Sequence, residues 1–497
     1  MEINIPNIID AAMPNRGNRN VGIISSNLGP NHNDPGFLSK DFPHSPPKLY
    51  VTAEDDEFDL LTLNEWKSEG FNVEYIPMGN GGNEYRMKLE SLSSRNLGPC
   101  ETYGIIAYGD AAGFCLEHFH VLHNNPEFKL CCLIAYYPTR IPDTRTKFPG
   151  GIHVLVHLTT GEEVSIVKQT QIVGIQGKKR TDKRKIDRGM GTGGTMQVSY
   201  PSYTYNAVPG FAEHDLDEFD RVSAELSWSR SLATVQSAFR RDADLEKVLE
   251  QNIESKFYSR NLQQTLSTYT THKSPHVTYV PTLTGAIGSE ELQRFYSEFF
   301  IDRNPESMKL TLLSRTIGSD RVVDELHVSF KHTQDMPWIL PGVPPTNKKV
   351  EILIVSIATL RGGKLYHEHV YWDQASVLVQ VGLLDPKVVP KKASDAGVKR
   401  LPVMGRRAAK SVLVGYDESD EGEATNELIP EWDDDADDAD DADDAVGNTA
   451  DEGDKSNGAK TKEAENDERT TEGLGDRKPE QFTPSQEQYE DTKTQGD

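Results

Sequence analysis

The stretch Tyr103–Leu122, YGIIAYGDAAGFCLEHFHVL, decides how the first half of the chain is read. An apolar run, a glycine and a helix-compatible segment describe a strand, a sharp turn and a helix. That is the layout of a nucleophile elbow, where Gly-x-nucleophile-x-Gly lifts a Ser or Cys above a sheet. The strand must end directly before the first glycine, and the frame Gly109-Asp110-Ala111-Ala112-Gly113 satisfies this. It places Ala111 where an attacking atom belongs. A second frame, Gly113-Phe114-Cys115-Leu116-Glu117, offers a thiol. Against it, Gly-Asp interrupts the strand, and Glu117 stands where glycine would let helix and strand approach closely. In the preferred frame Cys115 is a packed thiol about one turn into the helix.

Outward from the elbow the pattern alternates. KLYVTA (48–53) and NVEYIPMG (72–79) read as strands around a helix in DEFDLLTLNEWKSEG (56–70). KLCCLIAYYP (129–138) and GIHVLVHL (151–158) are continuous apolar runs, as expected of parallel strands covered on both faces. MQVSYPS (196–202) is a candidate last strand, followed by a long helix over 215–239 with a capping-box-like start at Asp215 and Glu218. The alternation predicts an α/β domain, mostly parallel, over 48–240. From 242 to 386 helices come first and long strands last, including 308–332, 348–360 and 364–373, which predicts an α+β arrangement. Residues 1–47 read as an irregular lead-in, 387–415 as a basic linker, and 416–497 as a disordered acidic tail.

Charge is unevenly spread. The chain has 497 residues and a net charge of −25; 416–497 carry 30 acidic and 7 basic residues, leaving the rest with 48 and 46, a net of −2. A balanced body gives no footprint for nucleic acid. The cysteines, Cys100, Cys115, Cys131 and Cys132, form no paired ligand set and read as thiols of a reducing compartment. No secretory leader and no apolar membrane span are apparent, so the expected location is cytoplasmic. The basic loop Lys178–Arg188 leaves a nuclear address open beside its reading as a solvated insertion.

Residues 48–240 resemble a dienelactone hydrolase-type α/β-hydrolase, through LYVTA, EGFNVEYIPMG, the elbow, CLIAYYP, HVLVHLTTGEE and AELSWSRSLATVQSAF. The resemblance implies an acid at Glu163 and a histidine at the position of Pro209 in NAVPGFAEHD. With Ala111 at the nucleophile position, two of three catalytic positions are chemically empty. The alternative is an active thiol hydrolase using Cys115, Glu163 and His214. The acidic run Glu54, Asp55, Asp56, Glu57 and Asp59 would oppose a developing oxyanion, or simply begins a helix.

Residues 242–386 resemble the SnoaL-like branch of the nuclear transport factor 2-like fold, through SFKHTQDMPWILPGVPPTNKKVEI and GGKLYHEHVYWDQASVLVQVGLLDP. The resemblance implies a cone, a curved sheet wrapped by helices around a pocket, used for cyclase or isomerase chemistry, ligand binding or dimerisation. Strand alternation puts Leu365, His367, His369 and Tyr371 on one face. Pocket candidates are His367, His369, Tyr371, Trp372, Asp373 and His332, with Asp324 and Glu325 weaker. The His pair could act with Asp373 in proton transfer; a third metal ligand is not apparent, so no metal and no cofactor are expected. The sequence thus predicts a pseudo-hydrolase domain fused to a cone that binds a small apolar or polycyclic molecule or forms a homodimer through its sheet. The alternative is an enzyme acting through Cys115 or in the cone.

Overall fold

The computed structural model describes residues 46–414, except 96, 99–100, 173–174, 187–197 and 242, and except the side chains of 126, 169–179 and 414. The expectations for the lead-in, Cys100 and the acidic tail fall outside the described residues.

The first half runs β1 (Lys48–Thr52), α1 (Leu60–Ser68), β2 (Asn72–Tyr75), α2 (Gly82–Ser91), β3 (Tyr103–Tyr108), α3 (Gly109–Phe119), β4 (Leu130–Tyr136), β5 (Arg140–Pro142), β6 (His153–Thr159), β7 (Glu163–Ile172), β8 (Ile175–Lys185), β9 (Ser202–Tyr205) and α4 (Arg221–Phe239). Six strands form a parallel sheet in the order β2-β1-β3-β4-β6-β9. Both faces are covered, which explains the unbroken apolar runs. Ile105, Ala107, Leu133 and Val156 pack with Tyr85 of α2 and Cys115 of α3. Ile106, Tyr108, Ile134 and Leu155 pack on the opposite side with Trp66 of α1 and with Trp228 and Leu232 of α4. Trp66 is fully buried, its ring 4.4 Å from that of Trp228.

Three local expectations change. The long helix begins at Arg221, with Asp220 as its cap accepting from the Ser223 N–H at 2.8 Å. The preceding residues turn instead, bringing Phe219 onto the ring of His214 at 4.7 Å. The candidate strand at 196–202 gives way to β9 at Ser202–Tyr205. The basic segment through Lys185 is no loop: β8 pairs antiparallel with β7 in a three-stranded sheet with β5, and Lys183 faces Glu163 across it at 3.5 Å.

The second half holds α5 (Leu245–Ile253), extended by a wider turn through Tyr258, then α6 (Leu262–Ser267), β10 (His276–Tyr279), β11 (Thr284–Ile287), α7 (Ser289–Arg294), β12 (Lys309–Ile317), β13 (Arg321–Lys331), β14 (Lys349–Arg361), β15 (Lys364–Trp372) and α8 (Gln374–Gln380). Its sheet runs β11-β10-β15-β14-β13-β12, antiparallel except for β10 beside β15. Leu249, Phe295 and Phe300 from the helical segments close over Tyr279, Leu326, Ile354 and Val370 of the sheet. In β15 the pairing steps from Thr359↔His367 to Leu360↔Leu365, so Tyr366 bulges. An extra residue switches the face of what precedes it: Leu365 turns into the core, fully buried, and leaves the face expected for it. The expected linker holds α9 (Lys391–Asp395) and α10 (Arg406–Val414); α10 packs on β14, burying Ala409.

The tip of the β14–β15 hairpin meets the first half. Gly362, at φ +57, lies so close to the Ser68 carbonyl that a side chain would not fit, and its N–H donates to Glu69 at 2.8 Å. Arg361, its side chain 4% exposed, pairs with Asp320 at 2.7 Å and with Glu225 of α4.

Candidate functional site

At the elbow, β3 ends with Tyr108 extended and the backbone reverses at Gly109, φ +52. Glycine is suited to that conformation because it has no Cβ to strain. The helix starts there, so Ala111 is its third residue and fully buried. It packs under the turn, not on top of it. Above Gly109 sits the carboxylate of Glu54, which accepts a hydrogen bond from the Asp110 N–H and leaves no room for a Cβ on Gly109. Asp110 in turn accepts from the Thr139 hydroxyl.

The other expected triad residues do not gather there. Glu163 is exposed beside Lys183. Pro209 is exposed in a turn. Cys115 is fully buried, its thiol 3.4 Å from the Tyr85 hydroxyl and pushed up by burial to about 12. It belongs to the α3 side of the sheet, whereas Phe211 and Ala212, just before His214, belong to the α4 side. The set Cys115, Glu163 and His214 is therefore not assembled.

His214 instead belongs to a group the sequence did not single out. Its Nδ1 lies 2.8 Å from Asp59 Oδ2, and its backbone N–H donates to the same oxygen at 3.0 Å. Burial pushes the Asp59 carboxyl up, but the hydrogen bonds from His214 and Thr62 outweigh it and hold it well below the usual carboxylate range. Asp59 also caps α1. His214 Nε2 faces Glu65 at 3.8 Å, and Glu65 is paired with Lys273, whose amine burial lowers to about 8. An acid–imidazole pair is present, but its outer nitrogen meets a carboxylate where a hydrolase presents a hydroxyl or thiol. The cleft here is lined by Tyr108, His214, Trp228, Lys273 and Arg361 and has only about 30 Å3 of free space, room for a water or two.

Negative charge crowds this end of the sheet. Burial raises Glu54 above its ordinary value. Glu213, bonded by the Tyr137 hydroxyl, is raised to about 7 by burial, with Asp215, Glu54 and Asp59 adding repulsion. Deeper, His157 Nε2 lies 2.8 Å from Ser231 Oγ, a base–nucleophile distance. Both are fully buried, and His157, lowered to about 3 mainly by burial, also faces the Tyr205 hydroxyl at 2.9 Å. This network braces β6 against α4.

In the cone the expected residues part company. Tyr371 is exposed on the outer face, which His367 and His369 share. Trp372 packs in the core beside Trp338. Asp373 caps α8, accepting from the Ala375 and Ser376 N–H groups. His332 is fully buried, its Nδ1 engaged by Thr346. Asp324 is gripped by Arg315 at 2.7 and 2.8 Å, and Glu325 accepts from Ser314. The inner space is defined instead by Lys256 and Glu368, buried and paired at 2.9 Å, with Ser356 donating to Glu368. Phe257, Tyr279, Leu326, Trp338 and Val370 surround them, leaving about 30 Å3. Ligand pockets usually offer several hundred Å3, more than is open here. Neither Glu368 nor Lys256 is among the expected pocket residues: alternation separates Glu368 from His367 and His369 but does not say which face is inner, and Lys256 arrives by a helix-to-sheet contact.

No protein-family model matches the chain, and no curated protein matches it. Some solved structures are similar to part of the chain. One is assigned as a SnoaL-like polyketide cyclase from Jannaschia, at 15% identity, covering 29% of this chain and 98% of that one, TM-score 0.24. Another, from Catenulispora acidiphila, has a ketosteroid isomerase-like fold and was solved with trimethylamine, at 14% identity, 29% and 98% coverage, TM-score 0.22. A third is an NTF2-like protein from Burkholderia pseudomallei, at 11% identity, 28% and 99% coverage, TM-score 0.23. Nothing in the comparisons speaks for the dienelactone hydrolase resemblance of 48–240. No helix among the described residues is long and apolar enough to cross a membrane.

Proposed function

We propose that the chain is a non-catalytic binding protein, in which a hydrolase-like parallel-sheet module without hydrolase chemistry is joined to a SnoaL-like cone. The observation that carries this reading is the turn at Gly109 capped by Glu54. In an elbow the nucleophile sits at the strained strand-to-helix turn, and the following N–H helps to bind the oxyanion. By backbone conformation the nucleophile position is then Gly109, two residues before Ala111, and the residue there has no side chain. The donor on Asp110 is taken by a carboxylate. Removing one oxyanion donor costs about 100- to 1000-fold in rate; here the donor is occupied and the attacking group is missing. His214, set between Asp59 and Glu65, supports the same reading.

The test is turnover of an activated ester by the full chain, with thiol labelling in parallel. The expected result is no rate above background. Turnover that Cys115→Ser abolishes would overturn the proposal. Turnover that survives Cys115→Ser but is lost in Glu368→Gln would favour a second reading, proton-transfer chemistry in the cone, which the buried Lys256–Glu368 pair supports. A homodimer through the outer face of the cone's sheet belongs to the same proposal; Val355 and Tyr371, paired across β14 and β15, stand exposed there. Sedimentation of wild type against Val355→Asp tests it, and a monomer in both removes it.

A further inference from the structure

A second group of side chains lies on the outer face of the cone's sheet, apart from the turn at Gly109 and from the Lys256–Glu368 pair. His367 and His369 lie two apart on β15, so both point outward from the same face. β10 runs parallel beside β15, with His276 in register with His367 and Thr278 with His369. The three rings meet: centroids are 4.8 Å apart for His276–His367, 5.0 Å for His367–His369 and 5.7 Å for His276–His369. One nitrogen from each lies within 4.8 Å of the others.

Zinc takes imidazole nitrogens at about 2.0–2.1 Å in tetrahedral geometry, which spaces the donors by about 3.3 Å. Hydrogen-bonded strands fix the three Cα positions, so closing the cluster that far falls to side-chain rotation. His367 is 7% exposed, yet its Nδ1 has no hydrogen-bond partner among the described residues. Leaving such a buried group unpaired is costly; a bound ion would give it a partner. Glu368, between the two β15 ligands, points inward to Lys256 and cannot supply a fourth donor. Arg221 and Arg321 act on His369 from outside. Their charge opposes a bare dication but favours an anion completing its coordination.

We propose that His276, His367 and His369 form a three-histidine site for a divalent transition metal of the zinc type, its fourth position open to water or a small anion. Two donors at i and i+2 on one strand and a third on its neighbour meet the donor count of open zinc sites, which keep three protein ligands and one free position.

The experiment is a zinc titration of the chelator-stripped full chain against a chromophoric competitor, with Co2+ as a spectroscopic probe. The site predicts one tight equivalent and the absorption of four-coordinate Co2+. Losing even an outer-shell partner of a metal ligand costs about 10- to 100-fold in affinity, so His276→Gln and His369→Gln should each cost about 100-fold or more. Both side chains are only half-buried, so if one variant misfolds by circular dichroism the other still decides. His153→Gln, at an exposed histidine, should change nothing, and Arg221→Gln should tighten binding. Absence of a tight equivalent overturns the proposal. So does zinc bound equally by wild type and both variants, which would place it on the acidic tail.

Discussion

Glu213 tests the claim that the elbow end of the sheet is an acidic cluster and not an anion-stabilising site. Its carboxyl is raised from an ordinary 4.5 to about 7 by burial and by three neighbouring carboxylates. At 1.36 kcal/mol per pH unit that interval corresponds to roughly 3.4 kcal/mol. Glu213 keeps some solvent contact, and screening brings the working figure to about 2–3 kcal/mol. Between about pH 4.5 and 7 the folded chain holds a proton here that the unfolded chain has released, so this group's contribution falls as pH rises. The buried histidines act in the opposite sense. His157 and His367, both lowered to about 3, make the folded state lose stability as pH falls from 6.5. The wild-type profile is therefore composite, and the difference between wild type and Glu213→Gln isolates one group. A glutamine oxygen can still accept from Tyr137. Urea unfolding at a series of pH values across this window, followed by tryptophan fluorescence, measures the difference. The variant should gain roughly 2–3 kcal/mol on wild type between about pH 4.5 and 7.5. A difference that stays flat across the window refutes the acidic cluster.

Other perturbations reach the remaining claims. Glu368→Gln strands the buried Lys256 amine and should cost about 3–5 kcal/mol, whereas Lys256→Met with Glu368→Leu should return to wild-type stability or exceed it; urea midpoints decide, and a double variant as weak as the single one contradicts the account. Cys115, fully buried with its thiol pushed to about 12, should resist a thiol reagent at mildly alkaline pH until the chain is unfolded; rapid labelling of Cys115 in the native protein, read by peptide mapping, would restore the thiol frame. Gly109→Ala puts a Cβ at positive φ, worth about 1–2 kcal/mol, and displaces Glu54 from the Asp110 N–H. Glu54→Gly in the same chain should relieve the second part, so a double-mutant cycle without coupling would separate Glu54 from the turn.

The parallel sheet was legible because burial on both faces writes itself as unbroken apolar runs, and Ile105 to Tyr108 is such a run. The cone's strands were legible for the related reason that their inner positions alternate. What failed was register. The elbow frame was set by counting residues between glycines, but the chain reverses where the backbone takes a positive φ. Tyr108 ends the strand, so the reversal falls on the next residue, Gly109, and Ala111 drops under the turn. The bulge at Tyr366 moved Leu365 in the same way: one unpaired residue changes a face, and no composition signal marks it. The proposed metal site was hidden for a different reason. Its two β15 ligands are adjacent in sequence space, but His276 comes from a strand some ninety residues earlier, and only the parallel β10–β15 pairing makes it the third. Lys256 met Glu368 by the same kind of long-range contact. The proposed reading of the turn rests on Gly109 and not on Ala111. An alanine there could have been a single lost side chain on an otherwise open site. A glycine, with a carboxylate held over it and bound to the next N–H, means that placing Ser or Cys at the turn requires moving Glu54 as well.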